Sequence, residues 1–340
     1  MIQLTIAVPA YNAEKTLEKC LDSMVGRDER LEVIVIDDGS VDATLELAQG
    51  YVSRYAPFVR VIAKENGGHG SGINVAVKNA QGRYFKVIDA DDWIVSENLV
   101  SLLDTLEQTK ADAVITGYHT IDISTGKRTA FSSACRHAGR DIGLAELMEV
   151  YEEISSCCSF HGLMYRTDFY RETGIELSEG IFYEDQEYAT MPFAHVDSVW
   201  IEPAYFYEYR IGDSGQSVAF HNQVARIGHI EKVILRILDY RAAQGPMRPE
   251  QEAYFLRKLA VIVVSYFAVA LVKDTDRRKG KENAKRFYAE LEHRAPGVLR
   301  MIDKKYRTLW VFHALRIPAQ WYQNTLNTAF YKRIRQIWTN

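Results

Sequence analysis

Residues 84–92 read YFKVIDADD, an apolar, β-branched run that ends in closely spaced acids. Such a run is typical of a buried strand, and the acids follow where that strand ends. Asp89 and Asp91 are two positions apart, so within a strand their side chains would point to opposite faces. Where the backbone turns, both carboxylates can face one cleft and bind Mg²⁺ or Mn²⁺ through oxygen. The stretch therefore predicts a strand followed directly by a divalent-metal site.

The first 120 residues alternate predicted strands and helices with short connections, which is typical of a mostly parallel sheet. The predicted strands are Leu4–Pro9, Val33–Ile36, Val59–Ala63, Tyr84–Ile88 and Val114–Tyr118. Asn12 is expected to cap the first helix. In such sheets the loops at the carboxyl ends of the strands form the ligand crevice. We therefore expect four polar clusters to converge there, namely Tyr11-Asn12, Asp37-Asp38, Asn66-Gly67 and residues 89–92.

The composition is that of a globular protein with a large core, since 47% of the 340 residues are apolar and 25% are charged. The N-terminus runs straight into a strand pattern without the layout of a signal peptide. Four cysteines show no zinc spacing, and the adjacent Cys157 and Cys158 make a structural disulfide improbable. We therefore expect a cytoplasmic protein.

Charge is distributed unevenly, although the net charge of −4 gives no reason to expect a nucleic-acid partner. From residue 300 onward there are eight basic residues against Asp303 alone, so this tail is +7 and residues 1–299 are −11. Aromatic side chains alternate with these basic ones: Trp310, Phe312, Trp321, Tyr322, Phe330, Tyr331 and Trp338. The pattern indicates either an anionic membrane surface, which would place the protein at the inner face of the cell membrane, or a contact between subunits or domains.

The remaining sequence divides into an irregular middle and a helical end. Residues 121–217 contain a predicted hairpin (121–132), a helix (143–154), an aromatic strand (199–209) and an acidic segment (179–187). Beyond about residue 220 the pattern is helical. Leu259–Val272 carries no charge, but its 14 residues fall short of the roughly 20 that a membrane span needs, so we expect a buried helix. We predict one domain over residues 1–217, made of two halves (1–120 and 121–217), and a helical region over 218–340.

Four motifs in order make the sequence specific, although each alone is weak. They are VPAYN (8–12), IDDGS (36–40) with Asp42 and Thr44, ENGG (65–68) and IDADD (88–92). No G-x-G-x-x-G follows the first strand and no G-x-x-x-x-G-K-[ST] occurs, which disfavours NAD enzymes and phosphate-loop ATPases. Over residues 4–120 the chain resembles the family 2 glycosyltransferases. The resemblance continues more loosely to residue 217 through Glu184-Asp185 and Tyr209-Arg210.

The resemblance implies a Rossmann-like glycosyltransferase fold, α/β with a mostly parallel sheet followed by helices, and an inverting transfer from a nucleotide-sugar, typically a UDP-sugar. It implies that residues 1–120 form the donor half of the domain and residues 121–217 the acceptor half. It implies a cell-surface glycan or lipid-linked acceptor in a bacterium. Asp185 would be the general base, and Asp91 and Asp89 would bind Mn²⁺ or Mg²⁺. The implied donor-binding residues are Pro9, Ala10, Tyr11, Asn12, Asp38, Asn66, Gly67, Asp89, Ala90, Arg210 and Ser217. Among them Asp38 would accept the base N–H, and Arg210 and Ser217 would close over the phosphates.

One departure concerns the pyrophosphate. Many family members carry Arg-Asn in the helix after the Asn-Gly turn, where this chain has Ile73-Asn74. A cation that neutralises phosphate is thereby missing, and we expect Lys64, His69 or Lys78 to replace it.

Three alternatives remain open. A sugar-1-phosphate nucleotidylyltransferase would need a glycine-rich, basic loop after the first strand, where this chain has Tyr11-Asn12-Ala13-Glu14. A glycoside hydrolase would have no use for Asp37-Asp38. A catalytically inactive nucleotide- or glycan-binding module would not need the intact Asp89, Asp91 and Asp185.

Overall fold

The computed structural model describes residues 1–213, 220–319 and 321–322. Ser217 of the predicted donor site and residues 323–340 of the basic tail lie outside the described residues. The chain divides into two compact units. The first unit comprises Met1–Ser214 and Ala243–Tyr254, and the second comprises Gly215–Ala242 and Phe255–Asn340.

The first unit is a mixed α/β structure. Its strands are β1 (Leu4–Ala10), β2 (Leu31–Asp37), β3 (Val59–Ala63), β4 (Tyr84–Val87), β5 (Trp93–Ile94), β6 (Ala113–Asp122), β7 (Arg128–Phe131), β8 (Asp141–Gly143), β9 (Leu163–Arg166) and β10 (Ser198–Ile211). Its helices are α1 (Leu17–Asp22), α2 (Thr44–Tyr55), α3 (His69–Asn79), α4 (Leu99–Gln108), α5 (Leu144–Ile154), α6 (Thr167–Glu172) and α7 (Asp185–Thr190).

All ten strands form one sheet, with the order β3-β2-β1-β4-β9-β6-β10-β5, and with β7 beside β6 and β8 beside β10. The pairs β1–β2, β1–β4, β2–β3 and β6–β10 are parallel, so the mostly parallel sheet predicted from the sequence is confirmed. Every residue of β1 and β2 is buried, as expected for strands covered on both faces. Their register pairs Ala10 with Asp37, which brings the loops after both strands to the same edge of the sheet.

Two local features differ from the sequence prediction. Strand β9 was not predicted, and it lies antiparallel between β4 and β6. Asn12 does not cap the first helix, because α1 begins at Leu17 after Thr16. Instead Asn12 adopts a φ of +50° and its side chain accepts a hydrogen bond from the Val41 N–H at 2.9 Å, which joins the loops after β1 and β2.

The second unit is helical, as the sequence predicted for the C-terminal region. The helices after residue 219 are α8 (Phe220–Ala225), α9 (Ile227–Ala243), α10 (Pro249–Ala268), α11 (Arg277–Arg294) and α12 (Pro296–Ala314), with a π-helical turn at Val269–Lys273. Aromatic rings form part of its core: Phe267 lies 4.7 Å from Tyr306, and Tyr266 lies 4.3 Å from Phe287 between ring centroids.

The continuous helix Pro249–Lys273 contains the apolar run that the sequence predicted to be buried. In the part of the chain that the structure describes, it is the one helix long and apolar enough to cross a membrane by length and composition. Inside the protein, 67% of its most apolar stretch is buried. A core helix of this length satisfies the same criteria, so the helix is weak evidence for a membrane span.

Candidate active site

The loops after β1 and β2 form one side of the candidate site. Pro9 and Ala10 end β1 in the buried part of the sheet, whereas the Tyr11 side chain is 54% exposed. The Asn12 N–H donates to the Ser40 hydroxyl at 3.0 Å, which adds to the Asn12–Val41 bond. These two hydrogen bonds join the loops after β1 and β2 directly beside the exposed Tyr11.

Asp38 organises the glycine-rich turn between β3 and α3. Its carboxylate accepts hydrogen bonds from the Gly67 and Gly68 N–H groups at 3.0 and 2.8 Å and forms an ion pair with Lys64 at 2.6 Å. The Asn66 side chain donates to the Asp38 carbonyl oxygen at 2.9 Å. Asp38 is 3% exposed, so its first role in the structure is to fix this turn. Recognition of a nucleobase by Asp38 stays a prediction.

The acids after β4 form a cluster. Asp89, Asp91 and Asp92 each offer a carboxylate oxygen, and these three oxygens lie within 4.8 Å of one another. The buried Asp92 accepts hydrogen bonds from the Tyr207 hydroxyl at 2.6 Å and from the Arg210 N–H at 2.7 Å. Burial, together with the charges of Asp89 and Asp91, raises the pKa of Asp92 well above its usual range. Asp92 therefore anchors the turn to β10.

The other two acids of this cluster fit a divalent cation. Both are partly exposed, with 30% of the Asp89 side chain and 38% of the Asp91 side chain open to solvent. Their donors are carboxylate oxygens, which Mg²⁺ and Mn²⁺ prefer, and no sulfur ligand belongs to the cluster. Ala90 is buried between them, and Arg210 Nη1 lies 3.5 Å from Asp91. The predicted metal ligands are thus brought together beside a cationic side chain.

His69 connects this cluster to the segment that carries Asp185. The His69 Nδ1 lies 2.6 Å from Glu184 Oε1, and its Nε2 lies 2.9 Å from Asp89 Oδ1. Burial alone would lower the pKa of His69, but the two carboxylates raise it well above its usual range. Both ring nitrogens therefore donate, as in an imidazolium. His69 is the physical bridge between the donor half and the acceptor half of the predicted site.

Asp185 is the first residue of α7 and lies next to Glu184. Burial raises the pKa of the Tyr209 phenol, and four nearby carboxylates raise it further. These carboxylates belong to Asp92, Asp89, Asp185 and Asp91. The candidate base therefore lies within electrostatic range of the same phenol as the acidic cluster.

The His161 side chain lies among aromatic rings, within electrostatic range of Asp89. His161 stacks on Tyr209 with a centroid distance of 4.1 Å and meets the edge of Tyr207 at 5.0 Å. Burial lowers the pKa of His161 to about 4, so the ring is neutral at pH 7. The fully buried Lys86 side chain holds residues 160–163 in place, because its Nζ donates hydrogen bonds to the carbonyl oxygens of Phe160, His161 and Leu163.

The cations expected to replace the missing arginine lie in different places. Lys64 is paired with Asp38, and His69 lies between Glu184 and Asp89. Lys78 pairs with Glu176 in the last turn of α3, about 13 Å along the helix from His69. Lys78 therefore lies at the opposite end of α3 from His69, and its expected role at the phosphates stays a prediction.

Sequence reasoning missed Lys86 and Tyr207 and did not foresee that His69 bridges two acids. A lysine inside the apolar run YFKVI was a signal that went unused, because a buried charge requires partners. Tyr207 and the acids it contacts are more than 100 positions apart, and no local pattern connects them.

The first prediction concerns the His69 bridge. Replacing His69 by Phe should lower the free energy of unfolding by about 2 kcal/mol, because Glu184, 3% exposed, would lose the partner of its charge. Adding Glu184→Gln should restore at least half of that loss. Urea denaturation followed by tryptophan fluorescence measures both changes.

A matched control is His137→Phe, since His137 faces the 55% exposed carboxylate of Glu149 at 3.3 Å. There the carboxylate stays in water and keeps its ion pair with Arg136 at 2.6 Å, so a change below about 0.5 kcal/mol is expected. If the His69 and Glu184 substitutions destabilise additively, the bridge does not hold the two segments together.

The second prediction concerns His161 and pH. Its pKa is about 4 in the folded protein and about 6.5 in the unfolded chain, so between these values only the unfolded state binds the proton. Stability should therefore fall as the pH is lowered from 6.5 to 4, by up to about 3 kcal/mol from this group. His161→Phe keeps a stacking ring and should flatten that part of the curve. Parallel curves for the native protein and His161→Phe, from urea denaturation at several pH values, would show that His161 contributes nothing to the slope.

Comparison with known proteins places these residues in a family. The glycosyl transferase family 2 model matches residues 5–174. An uncharacterized glycosyltransferase of Bacillus subtilis, EpsJ, is 28% identical over 212 residues, which cover 61% of this chain and 60% of EpsJ. The poly(ribitol-phosphate) beta-N-acetylglucosaminyltransferase TarS of Staphylococcus aureus is 31% identical over 118 residues, 34% of this chain and 21% of TarS. This chain thus spans less than two thirds of each of these relatives.

The fold comparison agrees with the sequence comparison. The crystal structure of S. aureus TarS residues 1–349 has a TM-score of 0.65 with this chain at 19% identity, and 92% of each chain is covered. The matched family region spans half of the 340 residues and contains the acidic cluster, the Asp38 turn and His69. The chain therefore belongs to glycosyl transferase family 2.

Proposed function

We propose that this protein transfers a sugar from a UDP-sugar to a hydroxyl group of a cell-envelope glycan or of its lipid-linked precursor, with inversion and with a divalent cation. The observation that carries the proposal is the His69 bridge, because it links Asp89 of the acidic cluster to Glu184, the neighbour of Asp185. A donor diphosphate and an acceptor hydroxyl can then meet in one crevice.

The donor side of the reaction would use Asp89 and Asp91 as the ligands of Mg²⁺ or Mn²⁺. When bound, such a cation neutralises the charge that develops on the departing diphosphate. Arg210, within 3.5 Å of Asp91, adds a guanidinium at the same place and suits phosphate oxygens. The exposed Tyr11 ring offers a face for packing against the base.

The acceptor side would use Asp185 as general base. As the acceptor oxygen attacks the anomeric carbon, its proton passes to the Asp185 carboxylate, and the bond from that carbon to the phosphate oxygen breaks with its electron pair. A single displacement leaves the opposite configuration at the anomeric carbon. His69 acts on this step through Glu184, by holding the start of α7 against Asp89.

The donor and acceptor classes are supported by relatives. TarS has been crystallised with UDP-GlcNAc and with UDP, and those structures have TM-scores of 0.57 and 0.53 with this chain. A Bacillus spizizenii relative, 33% identical over 118 residues, is a poly(ribitol-phosphate) beta-glucosyltransferase. Both relatives act on an anionic polymer named for ribitol phosphate, which supports an envelope polymer as the acceptor class.

The third prediction tests donor binding by calorimetry with UDP, GDP and dTDP, each with and without Mn²⁺. UDP should bind in a Mn²⁺-dependent way, and Asp91→Ala should weaken binding at least tenfold, because one of the two proposed metal ligands is lost. Asp185→Asn is the matched control: it also removes one carboxylate, yet UDP binding should change less than twofold.

Turnover measurements distinguish the proposed role of Asp185 as general base from the role of Asp91 as metal ligand. With any acceptor that supports transfer, Asp185→Asn should lower kcat at least 100-fold. A preference for GDP or dTDP would keep the reaction and replace the donor. Absence of nucleotide binding under every condition would refute the proposed function. Release of pyrophosphate from UTP and a sugar phosphate would indicate a nucleotidylyltransferase instead.

A further inference from the structure

The two units carry opposite charge. Over its two segments, Gly215–Ala242 and Phe255–Asn340, the second unit contains 22 Lys and Arg against 8 Asp and Glu, a net +14. Because the whole chain has a net charge of −4, the first unit is left with −18. A basic segment of this kind attached to an acidic one indicates an anionic partner for the basic part.

Helix α12 presents much of this charge on one face. Its buried face contains Val298, Ile302 and Leu309. The opposite face follows at helical spacing and consists of Arg300, Met301, Lys304, Arg307, Thr308, Val311 and Leu315. The three apolar side chains among them are 48%, 52% and 68% exposed, in chain order. Basic residues thus lie in the first half of the outer face together with Met301, and the second half is aliphatic.

Several basic residues elsewhere in the second unit form ion pairs with acids. Arg286 pairs with Glu231, Arg294 with Asp239, and Arg278 with Glu282. On α12, Arg307 pairs with Asp303 at 3.0 Å. By contrast, Arg300 and Lys304 make no ion pair with any residue that the structure describes. The outer face of α12 therefore carries positive charge that no intramolecular carboxylate offsets.

We propose that the outer face of α12 binds the surface of a lipid bilayer that contains anionic lipids. Two features of the face match that occupant together. Lys and Arg are attracted to anionic headgroups, and exposed Met301, Val311 and Leu315 can enter the boundary between headgroups and acyl chains. A soluble polyanion would use the charges alone and leave the aliphatic half exposed to water. The helix would lie in the interface and not cross the bilayer.

Among the aromatic side chains that the sequence indicated, Phe330, Tyr331 and Trp338 lie outside the described residues. Trp310 and Phe312 are half-buried, and Trp310 packs edge-on against Tyr306, which belongs to the aromatic cluster of the second unit. Trp321 remains 67% exposed beyond the end of α12. On α12 itself, the surface proposed to face the lipid is aliphatic and basic.

The test is co-sedimentation of the full chain with vesicles of phosphatidylcholine alone and with phosphatidylglycerol added. Native protein should bind the anionic vesicles and be released by high salt. The double variant Arg300→Glu/Lys304→Glu should bind at least tenfold more weakly. Its matched control is Lys110→Glu/Lys127→Glu, which makes the same change of charge at two exposed positions of the first unit and should bind as the native protein does.

A second variant tests the aliphatic half. Val311→Ser/Leu315→Ser keeps every charge and both side chains are exposed, so folding should persist, as a thermal melt checks. Binding to anionic vesicles should weaken severalfold, whereas binding to soluble polyphosphate should not change. Equal binding of this variant and the native protein would overturn the proposal in favour of a soluble polyanion.

Three further results would overturn it. The first is equal binding to both vesicle types. The second is an equal loss of vesicle binding in the two charge-reversed variants. The third is a dimer in light scattering that Arg300→Glu/Lys304→Glu abolishes, which would make a second copy of the chain the occupant. Nucleotide binding by the same variants keeps this proposal separate from the proposed function, since UDP affinity should be unchanged in all of them.

Discussion

The gathering of carboxylates at one edge of the sheet is the constraint on which the rest of the site depends. Like charges a few ångströms apart repel strongly where water is scarce, so each buried acid needs its own donors. Asp38 has two backbone N–H groups and Lys64, Asp92 has a phenol and a backbone N–H, and Glu184 has His69. Within the acidic cluster, Asp89 and Asp91 keep substantial exposure. Acids fixed by the protein thus surround the two that can accept a ligand.

The same constraint positions the acceptor half against the donor half. The Gly180 N–H donates to the Gly67 carbonyl oxygen at 2.7 Å. At Gly68, where φ is +86°, a Cβ atom would lie 3.0 Å from the Gly180 nitrogen. The turn that Asp38 organises and the turn before α7 are therefore in direct backbone contact. The position of α7, which begins at Asp185, therefore depends on contacts with Gly67 and His69.

Much of the donor half follows from the sequence because its information is local. Each of β1 to β4 is an apolar run that ends at a polar turn, and in a parallel sheet these ends meet at one edge. The convergence of Tyr11, Asp38 and Asp89 was predictable for that reason. Strand β9 was not predictable, because a four-residue strand inserted between β4 and β6 has no local sequence signature. The pairing of His69 with Glu184 spans 115 positions, and only tertiary packing determines it.

Opposite net charges in the two units also bear on how substrates arrive. With −18 on the first unit, long-range fields oppose the approach of a diphosphate or of a polyanionic acceptor. Attraction of these anionic substrates must therefore act over short distances, through His69, Arg210 and a cation held by carboxylates. Screening by salt is weak at such distances. The basic second unit cannot serve as the catalytic pocket, because the acids that define the site belong to the first. The charge of the second unit instead suits binding of the whole protein to an anionic surface. A lipid-linked acceptor would be concentrated at that surface, so no attraction between the acceptor and the acidic crevice would be needed.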